Sequence, residues 1–506
     1  MKKLILFLTG CVSAQAVFAA APALTIYNQN FAVVRDSIHL HLKAGVNNVS
    51  YNEATMHLEP DSVVLRDPTG NNPLQILEQN FRADPISQAL LLNYYEGKTI
   101  DFETQPEGAQ GKVQIIRGKI IRSGYVPHQE SFNEFGQQYQ QSQMNYAAPD
   151  GGGQPIIEVG GKLRFSLPGQ PLFPALSDDS ILKPTLTWQL NAAQSGPVDA
   201  ELSYVTAGMS WQAAYNVVSP ENGNTLELVG WVTINNQTGK SFQDAKIKLM
   251  AGDVNKIQNN LPMNGFAFAG GGAFDFQGER PPVTEKAFDE YHLYTLDRST
   301  TLLDRETKQI EFVHAEGIQS RSIYIYDGVK IDPNRYNGWN YENIRQDDAY
   351  GVESQNKVAV MCEFTNSEAN HLGMPLPKGR LRFYRRDADG QMEFTGESDI
   401  DHTPRNEVIR VNTGDAFDLV GERTRTNHHL DNGKSELDES FAITVRNHKK
   451  EPVEVRIVEH LYRWPTWEIS QNSNPFTKLD AQTIDFPVEI KPDGEQTVTY
   501  TAHYTW

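Results

Sequence analysis

The residues best suited to chemistry lie near one another in sequence. Asp399-x-Asp401-His402 places two carboxylates on one side of an extended chain beside an imidazole. That set could exchange a proton and steady a developing charge, as a hydrolase acting on a glycan or peptide requires. Turn chemistry accounts for the same residues without a reaction, because aspartates bond their own backbone at corners. Asp387-x-Asp389-Gly390 opens like a calcium loop, but Ser398 stands where the closing glutamate belongs. Arg380, Arg382 and Arg386, flanked by Lys378 and Arg385, form the densest basic strip. It could grip an anionic glycan or lipid head group, or it could pair across a hairpin with Glu393 and Glu397. His39 and His41 share a strand face but lack a third ligand at a telling spacing. The His428-His429 doublet reads as part of a polar loop. Cys362 falls on the face of Val358, Val360 and Phe364 and reads as a small buried apolar residue. Gly-x-Ser-x-Gly, His-Glu-x-x-His and the phosphate-cradling Gly-x4-Gly-Lys-Ser/Thr are absent from the sequence. Catalytic residues therefore stay unassigned, and no cofactor or metal is expected.

The elements that must position these residues are strands. Apolar and polar residues alternate along most of the chain, as Ile38, Leu40 and Leu42 do, and later Leu186, Trp188 and Leu190. The segment from Pro85 to Glu96 predicts a short helix, capped by Ser87 and stopped by Gly97. With Asp387 to Gly390 as a four-residue loop, Phe383 would face Phe394, Arg385 would face Met392 and Arg380 would face Glu397. An apolar strand followed by Asn and a polar turn recurs at Val232 to Gly239, Val358 to Ser367 and Ile443 to Pro452. Asn suits such corners, and their recurrence suggests successive sandwich modules. Val498, Tyr500, Ala502, Tyr504 and Trp506 alternate at the chain end. That pattern fits a closing sandwich strand, or the last strand of an outer-membrane barrel.

The expected fold is mainly β: several immunoglobulin-like β-sandwich modules, a small barrel-like domain and few short helices. The expected divisions are a leader over 1–19 and an N-terminal β domain over 22–80. A barrel-like domain over 85–175 follows, with a flexible insertion at 125–155. A first sandwich covers 184–300, with a Gly/Phe-rich loop at 258–283, and a C-terminal sandwich region covers 301–506.

Lys2 and Lys3, the apolar run after them and the small residues at Val17-Phe18-Ala19 read as an export signal. Leu8-Thr9-Gly10-Cys11 offers a lipoprotein alternative. Export to the periplasm or beyond is therefore expected. No later run of the 506 residues is long and apolar enough to predict a transmembrane helix. With 64 acidic against 45 basic residues the formal charge is −19, which argues against nucleic acid as a partner. Two cysteines exclude a disulfide scaffold. The partners expected are an envelope protein or glycan.

Several runs look familiar in combination: Leu202 to Tyr215 (LSYVTAGMSWQAAY), Gly230-Trp231 through Ala251-Gly252-Asp253, Leu372 to Gly379 (LGMPLPKG), and Trp467-Glu468-Ile469. They resemble an uncharacterised bacterial family, domain of unknown function 4139, and the opening from Ile26 to Arg35 is similar to the family's start. The resemblance implies an exported β-rich protein with no assigned catalytic residues. Distantly similar mucoidy inhibitor-like proteins join such a domain to a coiled coil, which this sequence lacks. Trp188, Trp211 and Trp231 read as core anchors, and Gly208 and Gly239 as turn residues.

Overall fold

The computed structural model describes residues 21–82, 86–105, 113–125, 154–174, 181–221, 224–252, 254, 256, 283–288 and 291–506. The expected leader, residues 126–153 of the expected insertion and residues 258–282 of the Gly/Phe-rich loop lie outside them. The described chain is mainly β, in several sheets, with two α-helices, Gln88–Tyr94 and Tyr341–Gln346. None of the helices among the described residues is long and apolar enough to cross a membrane. The chain forms two compact units. One comprises Met1–Trp211, Ile234–Glu279 and Arg298–Lys308, and the other Gln212–Thr233, Arg280–Asp297 and Gln309–Trp506.

In the first unit Ala23–Tyr27 runs parallel to Phe242–Ala251 and antiparallel to Phe31–Leu42. Phe31–Leu42 then pairs with Gly196–Ala207 over its whole length. Ile38, Leu40 and Leu42 are buried on one face, as their alternation requires. Thr185–Ala192 lies between Gly45–Tyr51 and Leu74–Arg82, burying Leu186, Trp188 and Leu190, while the Trp188 indole donates to Gln79 Oε1 at 2.8 Å. A five-stranded sheet runs in the order Gln170–Leu172, Thr99–Thr104, Gln114–Arg122, Ile156–Val159, Lys162–Arg164. Among the described residues its end strands do not pair with each other, so the barrel-like region is an open sheet. Phe102, Ile100, Ile120 and Ile157 form its core with Leu92 from the helix. Ser87 caps that helix by accepting from Leu90 N at 3.2 Å, and Gly97 follows with φ +78°.

The second unit is built on a sheet whose central path continues from Lys357–Thr365 to Val408–Asp431, Glu436–Asn447, Gly494–Thr505 and Trp467–Asn472. Val453–His460 pairs parallel with Glu306–Asp327 and antiparallel with Thr483–Ile490. Tyr326, Phe441, Ile457, Phe486, Tyr500 and Tyr504 fill the core between these strands. Burying such side chains stabilises by roughly 1.5–3 kcal/mol each before entropy is counted. The alternating Val498, Tyr500, Ala502 and Tyr504 therefore belong to this core, on a strand paired on both sides.

The three recurring Asn corners share one physical role. Asn236, Asn366 and Asn447 are all fully buried. Each amide donates to carbonyls of separate chain segments: Asn236 to Lys240 and Leu303, Asn366 to Met374 and Pro404, Asn447 to Glu451 and Lys491. Each side-chain oxygen accepts a backbone N–H, from Thr238, Gly373 and Lys449 respectively. One side chain thus satisfies backbone groups that a corner would otherwise strand.

The hairpin register differs from the expected one. Strands Gly379–Arg386 and Met392–Ile400 leave a five-residue loop, closed by Asp387 N donating to Gln391 O at 2.8 Å. The register shifts between Phe383 and Tyr384, so Tyr384 faces Phe394, Arg382 faces Glu397 and Arg380 faces Asp399. The additional loop residue and the irregularity move each pair off the simple count. The aromatic contact survives as Tyr384 on Phe394, edge to face with centroids 5.8 Å apart.

Candidate functional site

The residues nominated from sequence sit at the surface. Asp399, Asp401 and His402 are exposed at the end of the hairpin. Asp399 Oδ1 lies 3.7 Å from Arg380 Nε, His402 Nδ1 accepts Lys378 N at 3.2 Å, and Asp401 meets the Thr403 hydroxyl through its backbone carbonyl. Arg380 and Arg382 reach the same Glu397 oxygen at 3.9 and 3.5 Å, and Arg386 reaches Glu227 at 3.6 Å. These are loose, solvated contacts. Asp387 and Asp389 make turn bonds to Ala388 N and Gln391 N. His39 pairs with Asp199 across strands. The His428-His429 doublet lies in the strand Val408–Asp431 opposite Glu439 and Asp438, where a loop was expected. Cys362 is half-buried, and burial pushes its thiol up to about 11. At neutral pH it is a thiol, not a thiolate nucleophile.

A different constellation is built with more care. Residues 328–356 connect Glu306–Asp327 to Lys357–Thr365 and carry the helix Tyr341–Gln346. Asn340 and Asn343 cap that helix reciprocally, at 3.0 and 3.4 Å. Its base is closed by Lys330 N to Glu353 O at 2.9 Å and Gln355 N to Gly328 O at 3.0 Å.

Three arginines fasten the segment from below. Arg463 is 2% exposed, pairs with Glu439 at 2.8 and 2.9 Å, and donates to the carbonyls of Ile344, Asp347 and Tyr350 at 2.5–2.8 Å. Arg425 reaches Glu439 at 3.3 Å and the Asp348 carbonyl. Arg423 pairs with the fully buried Glu459 at 2.8 Å and donates to Gly351 O at 2.7 Å, while the Tyr500 hydroxyl donates to Glu459 at 2.5 Å. The last turn of a helix leaves carbonyls without partners, and a cation is favoured there. Guanidinium donors meet that need in a fixed fork. Burial alone would lower the Arg423 pKa, but Glu459 and Tyr500 outweigh it and hold the charge. Burial first, and Glu459 second, push the Tyr500 phenol well above its usual range. Removal of one partner would leave a buried charge uncompensated.

The outer side of the segment is aromatic. Tyr336 packs edge to face on Trp339 and on Tyr350, with centroids 5.0 and 4.9 Å apart, and Tyr341 packs on Trp464 at 5.7 Å. Arg345 stacks on Trp506, 4.1 Å from its centroid, and 5.3 Å from that of Trp464. Tyr341 is 44% exposed, and Asn334, Asn337, Asn340 and Asn343 are exposed between the rings. Rings with amide groups between them can cover a flat apolar face and bond the polar edge around it. Sequence reasoning passed over this set. Its one visible signal is the density of Tyr, Trp and Asn from 334 to 350.

No curated protein matches the chain. Residues 200–506, which hold every part of this constellation, match the family described as Domain of unknown function (DUF4139), and the chain belongs to that family.

Proposed function

We propose that this protein is exported to the bacterial envelope and acts there by non-catalytic binding, with the segment around Tyr336, Trp339 and Tyr341 as its contact surface for an envelope glycan. One observation carries the reading: the exposed Tyr341, the half-buried Tyr336 and Trp339 and a set of exposed amides stand on a segment whose backbone is fixed by buried arginines. Fixing a binding loop beforehand lowers the ordering cost of association. Sugar rings offer an apolar C–H face and a hydroxyl rim, which suits rings flanked by asparagines. The charged start and apolar run of the leader support export.

The test is co-sedimentation of the purified protein with peptidoglycan sacculi. Binding that weakens at least tenfold in Trp339→Ala or Tyr341→Ala, with the unfolding midpoint unchanged, supports the reading. Wild-type protein left in the supernatant, or binding untouched by both substitutions, overturns it.

A further inference from the structure

The second unit carries a side-chain cluster that neither the sequence motifs nor the aromatic segment uses. His314 and Glu316 lie two residues apart on Glu306–Asp327, so they project from the same face, and Glu227 projects from Thr225–Asn236. His314 Nε2 lies 3.6 Å from Glu227 Oε1 and 3.6 Å from Glu316 Oε1. The three ligand atoms all fall within 4.8 Å of one another. Ligands bound at about 2.0–2.2 Å to a tetrahedral ion stand roughly 3.3–3.5 Å apart, so both imidazole-to-carboxylate gaps are close to that edge.

The surroundings have the form of an outer shell. His314 Nδ1, on the far side of the ring, faces Glu311 Oε1 at 3.7 Å. Glu311 reaches that side because the strand's alternation slips at Phe312 and Val313, both of which are buried. A Cβ at Gly230 would collide with both of them, so a glycine is required where this slip packs. The other oxygen of Glu227 faces Arg386 at 3.6 Å. A carboxylate beside the distal ring nitrogen favours the tautomer that carries its proton there and leaves Nε2 free to bind.

We propose that Glu227, His314 and Glu316 bind one divalent transition-metal ion of the zinc type, with Glu311 as a positioning residue. The imidazole favours zinc over calcium or magnesium, which prefer all-oxygen sites. Three protein ligands leave a fourth position for water or an anionic group of a partner. The inference stands apart from the glycan reading, which uses other residues.

The experiment is calorimetric titration of the tag-free protein with zinc chloride, with calcium chloride as comparator. The expected result is one zinc per chain, lost in His314→Ala, and about 10–100-fold weaker in Glu311→Gln. Zinc should also raise the unfolding midpoint of the wild type and leave that of His314→Ala in place. All four side chains are partly or wholly solvent-facing, so the variants should match the wild-type midpoint in EDTA. His39→Ala, at the exposed pair formed with His41, should bind as the wild type does. Absence of zinc binding in the wild type overturns the proposal. So does a stoichiometry that survives His314→Ala, or calcium bound as tightly as zinc.

Discussion

Arg380, Arg382 and Arg386 occupy one strand of the hairpin, and Arg423, Arg425 and Arg463 lie beneath the 328–356 segment. The first set stands at the surface, with Arg382 half-buried, and meets carboxylates at 3.5–3.9 Å. The second is largely buried, and its donors meet carboxylates and five backbone carbonyls at distances within about 3.3 Å. Water already solvates the first set, so its ion pairs add little. Water is excluded from the second, so every donor needs a partner, and the fold has to supply it. A dense basic run therefore marks solvent here, while scattered arginines mark the feature that shapes the surface.

The sharpest way to break the contrast is to remove a buried partner. Glu459→Gln leaves Arg423 under-compensated in the core. Urea unfolding should show a loss on the order of 3–5 kcal/mol. Arg463→Ala strips three carbonyls of their donor and should also open residues 332–356 to limited proteolysis before the global transition. A Glu459→Gln protein as stable as the wild type would remove the distinction between the two sets.

A neutral staple should fall in between. Asn366→Ala leaves the Met374 and Pro404 carbonyls and Gly373 N–H without their partner, and should cost about 1–3 kcal/mol by the same assay.

Two histidines of this unit should respond to pH in opposite senses. Burial lowers the His460 pKa, but the Asp327 carboxylate, 2.8 Å from Nε2, outweighs it and the net direction is upward. A raised folded pKa stabilises below the ordinary imidazole value near 6.5, and that stabilisation is lost as pH rises through the folded value. Asp327→Asn should abolish this dependence. His428 is lowered, by burial first, so its contribution is present at neutral pH and falls away as pH drops below the ordinary value towards the folded one. His428→Gln should flatten that acid limb. Stability measured from pH 5 to 8 in the two variants separates the effects.

The smallest change belongs to the exposed set. Arg380→Gln with Arg382→Gln should move stability by no more than about 0.5 kcal/mol per substitution. A larger loss would show that those surface pairs are worth more than their geometry implies.

Period-2 alternation made the strands legible, because a half-buried strand must place apolar residues on one face. Ser87 and Gly97 marked the short helix through requirements local to its ends. The Asn corners were legible as corners, but their tertiary bonds were not, since Leu303 and Lys491 lie far along the chain. The hairpin register went astray because a fifth loop residue moves the pairs nearest the turn by one, and the irregularity at Phe383–Tyr384 moves the remaining pairs by one more. The arginine clamp left no sequence signal: Arg423-x-Arg425 within a Thr-rich run has the appearance of a solvated strand face. Its partners come from residues 344–351, 439 and 459, which only the fold brings together. The same holds for Glu227 beside His314.

Binding belongs, on this reading, to the surface held by the buried arginines and not to the exposed strip. Co-sedimentation with peptidoglycan sacculi, run side by side on Trp339→Ala and on the Arg380→Gln, Arg382→Gln double variant, tests it most directly. The expected result is at least tenfold weaker binding for Trp339→Ala and near wild-type binding for the double variant. Binding lost in the double variant and kept in Trp339→Ala would contradict it.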